Sequence, residues 1–264
     1  MTVLVRSLRD QRRSTIWWIA GLLALAALVM AFYPTVRDDP SLDDLVESYP
    51  EALRALMGGA ESLDYSSAAG YLNQEILSFV APIALAIFAI GHGASAVAGE
   101  EDRGILDLLL AAPISRTRVV VEKLGALVAL TAALGLTLWA GLVALAAAVG
   151  MSIAAGRLAA AVLALVLLTL VYGSLALLAG CATGRRGVAI AVSSGAAVLG
   201  YLLNALGTLA DSLEPWRVIS PFFHYADPDV VRHGLDPVNT LVLAGMALAL
   251  AALCPIAFAR RDIR

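Results

Sequence analysis

Long apolar runs alternate with short polar segments along the whole chain. Six runs have roughly the 20 residues that a helix needs to cross a bilayer, and they cover residues 15–33, 76–98, 124–149, 158–181, 188–210 and 238–259. Backbone groups in lipid must pair within their own segment, so each run is expected to be helical. The pattern predicts an all-α polytopic membrane protein, with a single six-span transmembrane domain over residues 1–264.

Composition supports this prediction and charge adds an orientation. The chain is 60% hydrophobic and 15% charged, with a mean hydropathy of +0.84, whereas soluble domains are about 45–50% apolar and about 25% charged. Of the 18 Lys and Arg residues, 13 lie on the side of the termini. By the positive-inside rule, both termini are predicted to be cytoplasmic. The formal net charge of -3 gives no indication of a nucleic-acid partner.

Two outer segments and the two cysteines have structural interpretations. Residues 41–57 carry apolar side chains at helical spacing and predict an amphipathic helix that lies on the outer membrane surface or against the bundle, with a substrate-gating role as the alternative. The last outer segment holds an aromatic cluster, which is typical of interfacial anchoring, with ligand contact as the alternative; its members are Trp216, Phe222, Phe223 and Tyr225. Cys181 and Cys254 lie near the cytoplasmic ends of their spans, where they are predicted to be packing residues rather than a disulfide.

Catalytic and ion-coupled chemistry is poorly represented. The spans contain almost no ionisable side chains, which argues against an ion-coupled carrier, and His92 in the second span is expected to be packed or interfacial. An intramembrane protease stays an alternative because GHGASAVAGEEDRG contains fragments of two protease signatures, Ser95 for a serine type and Glu100 with Glu101 for a glutamate type. The flanking residues do not match either signature. Scattered histidines give no metal-ligand spacing, and no GxxxxGK[ST] loop is present, so no catalytic, metal or nucleotide site is predicted on this chain.

The segment between the second and third spans, GEEDRGILDLLLAAPISRTRVVVEK over residues 99–123, has the most unusual pattern. Acidic residues lie in the first turn of a predicted helix, where the helix dipole favours negative charge. One apolar face follows at helical spacing, formed by Ile105, Leu108, Leu109 and Ala112. Pro113 ends the helix and Ser115 can cap the next one. Such a short amphipathic helix either lies on lipid headgroups or inserts into a groove on a partner, and the pattern leaves both open.

The string AGEEDRGILDLLL over residues 98–110, followed by PISR and then by Lys123, resembles the signature of ABC-2 type transporter permeases. It departs from that pattern at Ile105, where the family often has threonine. The six-span layout and the SPFFHY stretch over residues 220–225 are also similar to the family. The resemblance implies that residues 99–123 contain a cytoplasmic coupling helix that docks on a separate ATP-binding subunit.

The resemblance also implies candidate residues and partners. The residues expected to couple to the ATPase are Glu100, Glu101, Arg103, Gly104, Leu108, Leu109, Pro113, Arg116, Arg185 and Arg186. For the turn at Arg185 and Arg186, an ordinary positive-inside loop remains an equal alternative. The family architecture implies a homodimer of permeases with two ATPase chains, which bind ATP and Mg, in a prokaryotic cytoplasmic membrane.

A substrate path lined by the second and fifth spans is a further implication of the resemblance. It points to Phe79, Phe88, His92, Tyr201 and Asn204. A lining this apolar suits a hydrophobic or amphiphilic substrate, such as a drug, an antibiotic or a lipid. The usual direction of transport in the family implies export. The alternatives that remain are an intramembrane protease and a membrane scaffold without transport.

Overall fold

The computed structural model describes residues 3–37, 49–50, 53, 67–104, 115–226 and 230–261, and these residues form helices and turns without a β-strand. Within them, six helical segments are long and apolar enough to cross a membrane. The spans are, in order, Val3–Val36, Ala68–Ala96, Arg116–Ala148, Ala155–Thr183, Arg186–Leu206 and Pro237–Ala259. The prediction of an all-α protein with six transmembrane helices is confirmed.

The first and third spans begin well before their apolar runs. The first helix starts at Val3 rather than near residue 15, and its 34 residues extend about 51 Å at 1.5 Å per residue, well beyond a hydrocarbon core of about 30 Å. The third starts at Arg116, capped by the Ser115 hydroxyl as predicted. Apolar content locates the part of a helix inside lipid, whereas hydrogen bonding continues the helix through polar turns.

The fourth span forms the centre of the bundle. It packs against the second, third, fifth and sixth spans, while the first span lies mainly along the third. The second and fourth spans cross so closely that a Cβ on Gly93 would lie 2.2 Å from the Gly173 carbonyl oxygen. Cys181 and Cys254 are both free and buried in this part of the bundle, in agreement with their predicted packing role.

The opposite end of the bundle from the termini is closed by three short helices, Glu214–Ile219, Pro221–Ala226 and Val230–His233. Phe222 and Tyr225 are buried there, and the Phe222 ring lies 5.7 Å from that of Tyr172. The prediction that all four aromatic residues anchor this segment at the membrane interface is therefore wrong for these two, because helix Pro221–Ala226 packs on the fourth, fifth and sixth spans. Most of the outer helix predicted over residues 41–57 lies outside the described residues.

Candidate functional site

The second span ends in a break that precedes the acidic string identified in the sequence. Its helix stops at Ala96, Val97 leaves helical geometry, and a short helix, Ala98–Glu101, follows. A turn then closes at Gly104, which has a left-handed φ of 68°. This φ favours glycine, whereas close approach to a partner, the role implied by the family resemblance, stays a prediction.

Glu100 is paired with a buried lysine. The Lys123 ammonium donates to the Glu100 carboxylate and also, at 3.0 Å, to the Ser7 hydroxyl. Lys123 is only 4% exposed. Removing either member of the pair would leave a buried charge without its counter-charge, which strongly destabilises a protein. Three elements are joined at this point, namely the short helix after the second span, the third span and the start of the first span.

Glu101 is paired with the far end of the chain. Both oxygens of its carboxylate accept from one nitrogen of the Arg261 guanidinium, Nη2, in a charge-assisted contact. The same guanidinium donates to the carbonyl oxygens of Gly180 at 3.4 Å and Cys181 at 3.3 Å. Arg261 therefore connects the short helix to the ends of the fourth and sixth spans.

Arg116 completes this arrangement from the start of the third span. Its guanidinium donates to the Arg261 carbonyl oxygen at 2.9 Å and lies 6.0 Å from the Phe258 ring centroid. We name the elbow cluster by its five members, Glu100, Glu101, Arg116, Lys123 and Arg261. It holds both ends of the segment between the second and third spans against the bundle.

The other predicted coupling residues have separate positions. The Arg103 guanidinium donates to the Gly99 carbonyl oxygen at 2.7 Å, and the Arg186 guanidinium donates to the Ser95 hydroxyl at 3.0 Å. Arg185 is the N-cap residue of the fifth span, and its backbone N–H donates to Thr183. Leu108, Leu109 and Pro113 lie outside the described residues.

Lys123, Arg261 and Ser7 belong to the site, although the sequence placed Lys123 only in the family signature and gave Arg261 and Ser7 no role. Lys123 is the single lysine of the chain, since the other 17 of its 18 basic residues are arginines. That rarity is a signal that could have identified it. Ser7 and Arg261 carry no such signal, because their roles depend on contacts across more than 100 residues.

The predicted substrate-path residues separate into two groups. Phe79 and Tyr201 have ring centroids 5.8 Å apart, and Asn204 accepts a hydrogen bond from Arg217 at 3.4 Å, all toward the end closed by the short helices. Phe88 and His92 lie nearer the elbow cluster, with ring centroids 4.0 Å apart. The five residues do not form one continuous lining within a single chain.

Comparison with known proteins supplies the family. The model of the ABC-2 family transporter proteins matches residues 1–263, which is nearly the whole chain. No curated protein matches the sequence. The chain belongs to the ABC-2 transporter family, as a multi-pass membrane permease subunit of an ABC transporter that associates with an ATPase subunit.

Proposed function

We propose that this chain is the permease of an ATP-driven exporter, and that residues 105–114 dock on the ATPase subunit. The observation that carries the proposal is the elbow cluster, which ties residues 98–104 and the start of the third span to the ends of three other spans. A segment held in this way can pass a displacement to the bundle, because the buried ion pairs resist separation.

In this proposal, the two glutamates act within the permease rather than on the ATPase. Glu100 and Glu101 have their carboxylates bound by Lys123 and Arg261, so they position the docking segment. Leu108 and Leu109 supply its apolar contact with the ATPase. Movement of the segment would then reach the first span through the bond from Lys123 to Ser7.

The complete transporter in this proposal has two copies of the permease and two ATPase chains, with ATP and Mg bound by the ATPases. Both termini lie in the cytoplasm of a prokaryote, and the substrate is a hydrophobic or amphiphilic molecule moved outward. Apolar side chains exposed on the second and fifth spans, including Ile87 at 56% and Leu199 at 68%, support both a second permease chain and a path for such a substrate.

The proposal is tested by co-expressing the permease with the ATPase of its operon and purifying through a tag on the permease. We expect Leu108→Asp/Leu109→Asp to lose most of the co-purified ATPase, because the charges oppose burial in an apolar groove. Leu235→Asp, an exposed change at the other end of the bundle, is the control and should retain it. Full recovery of the ATPase with the folded double variant would contradict the proposal.

A further inference from the structure

A cavity of about 700 Å³ lies between the first, second and third spans, beside the elbow cluster. Its volume is in the range of about 300–1,000 Å³ that is usual for ligand sites. One part of the wall is apolar and aromatic, with Trp18, Phe88, Leu127 and Leu130. The other part is polar and includes His92, Glu100, Arg103 and Arg186. An amphiphile would satisfy both parts at once.

Two hydrogen-bond acceptors in this wall have no donor among the residues that the structure describes. The Nδ1 atom of His92 lies 2.7 Å from the Phe88 carbonyl oxygen, and because a carbonyl only accepts, Nδ1 must carry the proton. In the neutral ring, Nε2 is then an acceptor. This atom is buried without a partner among the described residues, as is the second carboxylate oxygen of Glu100. Buried polar atoms are normally hydrogen-bonded. A ligand that donates hydrogen bonds would therefore suit both atoms.

The same wall also holds positively charged side chains with hydrogen-bond donors to spare. Arg103 uses its Nε to donate to a backbone carbonyl and Arg186 uses its Nε to donate to Ser95. No carboxylate of the described residues pairs with either guanidinium. Each guanidinium has five N–H donors in a planar fork that suits phosphate. Both side chains are exposed, so their remaining N–H groups are accessible to an anionic oxyacid on a ligand.

The remaining ionisable side chains of the wall do not alter this balance. Arg6 lies 3.8 Å from Asp10, and the Lys123 ammonium is bound by Glu100. Asp102 adds one further acceptor. The cavity thus presents hydrogen-bond acceptors for a cation and hydrogen-bond donors for an anion. Both lie close to an aromatic surface, where the ring centroids of Trp18 and Phe88 are 5.9 Å apart.

We propose that this cavity binds a phospholipid whose head group carries a primary amine. The ammonium donates to His92 and Glu100, the phosphate accepts from Arg103 and Arg186, and the first part of the acyl chains packs on Trp18 and Phe88. This inference deepens the proposed function by naming a class of amphiphile. Binding is nevertheless a property of the permease alone and can be measured without the ATPase.

The test uses the purified permease in detergent, titrated with dihexanoyl phosphatidylethanolamine, phosphatidylcholine and phosphatidylglycerol, with tryptophan fluorescence as the readout. We expect the ethanolamine lipid to bind about tenfold more tightly than the choline lipid, because a quaternary ammonium has no N–H to donate and loses a charged hydrogen bond. The glycerol lipid should also bind more weakly, since it lacks the cation. The proposal would be overturned if either the choline lipid or the glycerol lipid bound as tightly as the ethanolamine lipid.

Neighbouring tryptophans supply a matched control. Trp18 lines the cavity, whereas Trp17 is 78% exposed and does not. Trp18→Phe should abolish the fluorescence response and Trp17→Phe should retain it. A response that survives in Trp18→Phe would place the lipid elsewhere and overturn the proposal.

A second variant tests the acceptor. His92→Leu should lower the affinity for the ethanolamine lipid to near that of the choline lipid, and His233→Leu, which changes an exposed histidine at the other end, should leave it unchanged. If His92→Leu does not fold, the lipid titrations of the wild-type protein still test the proposal.

Glycerophosphoethanolamine distinguishes a membrane lipid from a soluble amine of the same chemistry. It lacks acyl chains, so binding as tight as that of the lipid would overturn the membrane source. The lipid result is also independent of the docking experiment, since either can fail while the other succeeds.

Discussion

The Glu101 carboxylate binds the Arg261 guanidinium across 160 residues of sequence, which connects the segment after the second span to the end of the sixth. Both side chains are mostly buried, with 21% and 15% of their surfaces exposed. The contact is therefore better shielded from water and salt than a surface ion pair. It makes the C-terminal end of the bundle part of the proposed coupling site.

This relationship predicts energetic coupling between the two residues. We expect Glu101→Gln and Arg261→Gln each to lower the melting temperature, and the double variant to lose less than the sum, with a coupling free energy of about 0.5–3 kcal/mol. A double-mutant cycle in detergent, measured by thermal unfolding, gives this quantity directly. Strict additivity of the two effects would show that the ion pair does not contribute.

A second prediction concerns Lys123. Lys123→Met leaves the Glu100 carboxylate partly buried without its counter-charge, and we expect a loss of about 3–5 kcal/mol in the free energy of unfolding. Adding Glu100→Gln to this variant should restore much of that loss. Arg118→Met is the control, because the Arg118 side chain that pairs with Glu122 is 64% exposed and pairs with an exposed partner contribute at most about 1 kcal/mol. Similar losses for Lys123→Met and Arg118→Met would contradict the buried pairing.

A third prediction concerns the crossing of the second and fourth spans. Gly93→Ala would place a Cβ 2.2 Å from the Gly173 carbonyl oxygen, so the helices must separate. We expect a large fall in melting temperature, with a cost of about 1–3 kcal/mol or more, as for other overpacked sites. Gly91→Ala is the control, because a Cβ there meets nothing within 4 Å and alanine favours the helix by about 1 kcal/mol. Equal stability of the two variants would mean that the spans do not cross as described.

A fourth prediction concerns the closed outer end. The Tyr225 hydroxyl donates to the Leu77 carbonyl oxygen at 2.6 Å, and burial raises the pKa of Tyr225, so the hydroxyl keeps its proton. Tyr225→Phe leaves that carbonyl without this donor, and we expect a loss of about 1–3 kcal/mol in stability.

Tyr172→Phe is the matched control for this change. The Tyr172 side chain is also buried, but its hydroxyl has no partner among the described residues. Its removal should be neutral or slightly stabilising, because no hydrogen bond is lost. Chemical denaturation of both variants in mild detergent would compare them, and a larger loss for Tyr172→Phe would contradict the assigned hydrogen bonds.

The six spans are predictable from the apolar pattern alone, because a helix inside lipid requires a long apolar run. Ser115 as a helix cap was also predictable, since capping depends on residues three positions apart. The acidic string that begins at Glu100 identified the family for the same reason: its pattern is local and specific.

The partners of those acidic residues, in contrast, depend on how the helices pack in three dimensions. Ser7 and Arg261 join the elbow cluster from the two ends of the chain, and no local pattern encodes a contact over such a separation. Phe222 and Tyr225 were predicted at the membrane interface from their aromatic character, but they are buried because a short helix packs on three spans. Composition determines which residues avoid water, whereas helix packing determines whether they contact lipid or protein.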